Sequence, residues 1–63
     1  MELPRPFDPV LAKIDYQGAL GQEQWNEVVF YDGESWRSYA GSDTFNDGEN
    51  VSKWVYCNDA FDD

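Results

Sequence analysis

The sequence predicts a mostly β protein: a small antiparallel sheet of about four strands in meander order, with an extended proline-rich N-terminus and an acidic C-terminal tail. Three observations predict it. Apolar and polar residues alternate over short runs, turns containing Gly and acidic residues separate the runs, and no stretch has room for a long helix. The chain divides by the same signals into an extended segment at 1–9, a single β domain at 10–57 and an acidic tail at 58–63.

The first nine residues hold all three prolines, Pro4, Pro6 and Pro9. Proline suits neither a helix interior nor a central strand, so the segment reads as an extended lead-in with Phe7 as its one obvious anchor. Val10, Ala12, Ile14 and Tyr16 then alternate with Leu11, Lys13 and Asp15, the period of a strand with one buried face. Gln17 to Gln24 contains Gly18 and Gly21 and reads as a connecting loop, with at most a short helical turn at Ala19-Leu20. Trp25 to Tyr31 is the strongest strand signal, because Val28-Val29-Phe30-Tyr31 follow one another.

Asp32-Gly33 comes next, a dipeptide that tolerates the positive φ of a tight hairpin, and Ser35 to Tyr39 returns as the partner strand. A two-residue turn sets Val29 opposite Trp36, whereas a three-residue turn sets Phe30 there; the two-residue turn is slightly favoured. The choice decides which face Trp36 joins, since a slip of one residue flips every side chain. Gly41 to Asn50 is a polar loop with Phe45 tucked inward. Val51 to Tyr56 is the last strand, alternating Val51, Lys53 and Val55 against Ser52, Trp54 and Tyr56.

With 63 residues there is one small core. A chain of that size buries only about 60% of its unfolded surface, so its stability is marginal without added support. Cys57 is the single cysteine, which excludes an intrachain disulfide and fits a reducing cytoplasm, with the thiol a half-buried apolar group. The support expected instead is aromatic: 3 Trp, 4 Tyr and 4 Phe, each able to bury roughly 150–250 Å². Homodimerisation is the other route to stability. No apolar run approaches the roughly 20 residues that span a bilayer, and the N-terminus lacks the basic and apolar regions of a secretory signal.

The chemistry is bounded by what is absent. Without histidine there is no Ser-His or Cys-His nucleophile and none of the usual zinc sites. Carboxylate pairs are too many to single one out, and no glycine-rich phosphate loop is present, so neither catalytic residues nor a cofactor are expected. The segment Asp43 to Glu49 loosely matches a calcium loop, but Phe45 occupies the third position and Trp54 the twelfth, where oxygen ligands belong. No metal is expected there.

What remains is charge: 13 acidic against 4 basic side chains, a formal net charge of -9. That exceeds the roughly 2–8 units sufficient for a soluble small domain. It repels anionic membranes and nucleic acid backbones, so the expected partner is a protein carrying a basic surface. The acids are spread over turns and strands, where a rigid scaffold would hold several in fixed geometry and lower the entropic cost of binding. The candidate partner-binding residues are Asp32, Glu34, Asp43, Asp47 and Glu49, with Trp36 and Tyr39 as aromatic anchors.

The runs Asp32-Gly33-Glu34-Ser35-Trp36, Gly41-Ser42-Asp43-Thr44-Phe45, Asp47-Gly48-Glu49 and Lys53-Trp54-Val55-Tyr56 in so short a chain resemble the small acidic counter-defence proteins of phages, including anti-CRISPR and anti-restriction inhibitors. The resemblance covers residues 10–56 in size, charge and style, with no diagnostic motif to carry a site across. It implies a protein that occupies the nucleic-acid-binding surface of a host protein or defence complex by mimicking DNA. The alternative is a small β interaction module that pairs through an aromatic face or an edge strand, acidic only for solubility.

Overall fold

In a computed structural model of the chain, which describes residues 2–46 and 48–60, the alternation beginning at Val10 forms a strand, β1 (Val10–Gly18). Val10, Ala12 and Ile14 are buried on one face, as their spacing requires. β2 (Gly21–Tyr31) pairs antiparallel with β1 along its whole length, from Val10 opposite Val29 to Gly18 opposite Gly21. The expected loop at Gln17–Gln24 is therefore the end of a long hairpin, turned by Ala19-Leu20 alone. Gly21 permits this with φ of 130°, a value open to glycine. Burial gave no hint of strand in that stretch, since Gly21 to Gln24 are all exposed; backbone pairing makes it one.

β3 (Trp36–Ser38) pairs with β2 in a register that differs from both expected ones: Tyr31, neither Val29 nor Phe30, stands opposite Trp36. The cause is Asp32. Its Oδ1 accepts the backbone N–H groups of Glu34 and Ser35 at 2.8 and 2.7 Å, which places Asp32 at the start of the turn and leaves Gly33 and Glu34 at its tip. Such a side-chain-to-backbone turn is a characteristic use of Asp. Relative to the two-residue turn the register moves by two residues, so Trp36 keeps the face of Val29 and packs against the core.

β4 (Glu49–Tyr56) does not continue the meander. It lies beside β1, giving the order β3-β2-β1-β4, in which the fourth strand returns to flank the first as in a Greek key. Nor does β4 alternate strictly. Lys13 faces Lys53 but Ile14 faces Val51, so Ser52 is an extra residue, and its Oγ donates to the Lys13 carbonyl at 3.2 Å. This bulge places Val51 on the same face as Trp54 and Tyr56, where strict alternation would have placed it with Lys53 and Val55. The bulge and Lys53 also blunt β4 as an exposed edge.

The core is Val10, Ala12, Ile14, Val29 and Val51, with Trp25, Trp36, Phe45, Trp54 and Tyr56 half-buried against it. Phe45 is thus turned inward as its isolation in a polar loop suggested. The aromatic side chains replace the second layer that the chain is too short to build. The N-terminal segment adds to that cover: Trp54 Nε1 donates to the Glu2 carbonyl at 2.8 Å, and the Arg5 N–H donates to the Tyr56 hydroxyl at 3.1 Å. Pro4 is the buried residue of this segment, while Phe7, the expected anchor, is 67% exposed. A four-residue helix, α1 (Cys57–Ala60), follows β4, with Cys57 half-buried and free. The remainder of the expected acidic tail, 61–63, lies outside the described residues.

Candidate functional site

The two faces of the sheet differ in charge. Register places Glu23, Glu27 and Glu49 on the core-bearing face and Lys13, Lys53 and Arg37 on the other, together with one acid, Asp15. On the core-bearing face, Glu27 accepts the Trp25 Nε1 hydrogen at 3.0 Å, and Glu49 accepts the Asn46 backbone N–H at 2.7 Å. On the opposite face Val55, Leu11 and Val28 form an apolar row across three strands, and Tyr39 extends it through its N–H bond to the Val28 carbonyl at 3.1 Å. Phe30 on this face stacks on Phe7 at 5.9 Å and meets Tyr39 edge-on at 6.3 Å.

Arg37 organises the end of this face. Its Nε donates to Asp32 Oδ2 at 2.6 Å and its Nη1 to the Ser42 carbonyl at 2.8 Å. One guanidinium therefore ties the β2–β3 turn to the loop after β3, where the Ser38 N–H also bonds the Asp43 carbonyl at 2.9 Å and Arg37 bridges to Thr44. Sequence reasoning passed over Arg37; its signal was a lone cation five residues after a turn aspartate in an acidic stretch.

The candidate residues divide accordingly. Asp32 serves the turn and the ion pair, so its charge is cancelled. Glu34 and Asp43 are exposed, on loops that Arg37 holds together. Glu49 is half-buried and closes the 46–49 turn at the other end of that connection. Asp47 lies outside the described residues. Tyr39 is 55% exposed, whereas Trp36 is packed against the core and edge-on to Tyr31 at 5.5 Å. Among the described residues only Arg5–Asp8 and Arg37–Asp32 form ion pairs, and no cluster of potential metal ligands occurs. No helix among them is long and apolar enough to cross a membrane.

The Asp32 carboxyl is held at about 2, below its ordinary 3.8, first by the hydrogen bond from Arg37 and then by those from Ser35 and Glu34. A carboxyl lowered on folding stabilises the fold above its unfolded pKa and ceases to do so as pH falls through its folded pKa. The melting temperature of the native protein should therefore exceed that of Asp32→Asn most above pH 3.8, and the difference should shrink as pH falls toward about 2. A constant difference across that window would show that Asp32 does not titrate against Arg37.

Comparison with family models, curated proteins and solved structures gave no match. The functional reading rests on the chain's own geometry.

Proposed function

We propose that this chain is a non-catalytic binding protein that docks its acidic loop end on the basic, nucleic-acid-binding surface of another protein or complex and blocks nucleic acid access there. The observation that carries this reading is the Arg37 clamp. It ties two loops together at the cost of one carboxylate, and Glu34 and Asp43 on those loops are exposed, as is Tyr39. Carboxylates on preorganised loops bind with less loss of entropy than those of a tail, and the net charge of -9 steers a basic partner toward them. Lys13 and Lys53, opposite each other on the same face, repel that partner and confine contact to the loop end. This is the mode implied by the resemblance to phage counter-defence inhibitors, and it places the protein in the cytoplasm of the cell whose machinery it blocks.

The test is displacement of labelled duplex DNA from candidate host nucleases and defence complexes across a salt series. The apparent affinity should fall steeply between low and physiological salt, and Glu34→Lys with Asp43→Lys should weaken it by about tenfold or more, since close interfacial charge pairs couple by about 1.5–7 kcal/mol. Affinity indifferent to both salt and charge reversal would refute the proposal. Glu49 is left unchanged because its reversal would also open the 46–49 turn.

A further inference from the structure

Phe7 combines two properties that stability alone does not explain. Its backbone has φ of 67°, a conformation strained for a bulky side chain, yet the residue is 67% exposed. The bond from its N–H to the Tyr31 carbonyl at 2.7 Å holds it there. One side of the ring lies against Phe30 at an interplanar angle of 28°, and the other is open to solvent. The ring borders a shallow, open groove of about 700 Å³ whose lining includes Phe30, Asp32, Glu34 and Arg37. Arg37 adds no net charge there, because Asp32 neutralises it, so the groove presents aromatic walls and the carboxylate of Glu34.

Aromatic walls beside a free carboxylate suit a guanidinium, which is planar, weakly hydrated and able to stack while it pairs. The chain uses the same combination internally: Arg5 lies over the Tyr56 ring at 4.3 Å while its Nε donates to Asp8 at 2.7 Å. We propose that the groove takes an arginine side chain of the basic partner, its guanidinium stacked on the Phe7 ring and paired with Glu34. This rests on the charge-led docking above and adds to it a preference for arginine over lysine, whose compact, strongly hydrated ammonium gains less from a stacked site.

The probes are heptaarginine and heptalysine peptides, titrated into the full chain by calorimetry and followed by NMR. Heptaarginine should bind about tenfold more tightly at equal salt, and should shift the ring protons of Phe7 and Phe30. Phe7→Leu, which keeps apolar bulk without the ring, should abolish the preference by bringing heptaarginine binding down to the level of heptalysine; a thermal melt verifies that it folds. Glu34→Gln should also reduce the preference. Equal binding of the two peptides, unshifted Phe7 and Phe30 rings, or a preference retained in Phe7→Leu would each overturn the groove. Equal, salt-sensitive binding would overturn the groove alone, whereas failure of both peptides to bind would also count against the charge-led reading.

Discussion

Ile14→Ala is expected to leave the protein largely unfolded. Ile14 is 1% exposed and stands in register between Trp25 and Val51 at the centre of a five-residue core. Removing such a side chain costs about 2–5 kcal/mol, because the cavity collapses only in part. A single core in a domain this small supplies only about 3–5 kcal/mol. Urea titration followed by tryptophan fluorescence measures the loss. Leu11→Ala, on the opposite and more open face, is the control and should shift the midpoint far less. Equal shifts in the two variants would mean that the buried face is misassigned.

Deletion within β4 separates register from composition. Deleting Ser52 should leave a folded protein, since Val51 remains opposite Ile14 and only the bulge disappears. Deleting Val55 should unfold it. With Tyr56 held opposite Val10, that deletion brings Lys53 opposite Ala12 in place of Trp54, and a lysine then points into the core face. Far-UV circular dichroism with thermal melts distinguishes them. A Ser52 deletion as damaging as the Val55 deletion would show that the bulge is needed for folding.

These two cases also mark what was legible in advance. Period-two burial in Val10, Ala12 and Ile14 was readable because alternation is a local property of a strand. The hairpin end at Gln17–Gln24 was not, because exposed residues carry no hydrophobic pattern and only pairing defines the strand. The turn at Asp32 was located correctly but its register was not: whether Asp32 sits at the tip or the start depends on which backbone groups its carboxylate accepts. In the candidate site the acids could be counted, but not sorted. Asp32 and Glu49 look identical to Glu34 and Asp43 in sequence, and differ only in that local hydrogen bonds occupy them.

By itself, then, the sequence determined an all-but-helix-free antiparallel sheet, an aromatic-supported core and a charge of -9 without the histidine that most catalytic arrangements need. Each depends on composition or on a period spanning a few residues. Tertiary structure decided the return of β4 to β1, the bulge at Ser52, the gathering of Lys13 and Lys53 on one face, and the Arg37 clamp that leaves Glu34 exposed near Phe7 and Phe30. The strand order and the bulge depend on which distant backbone groups pair, and the clamp on which partners the folded turn and loop bring to Arg37. Pairing is settled by closure of the whole sheet over its core, a condition no local run of residues can express.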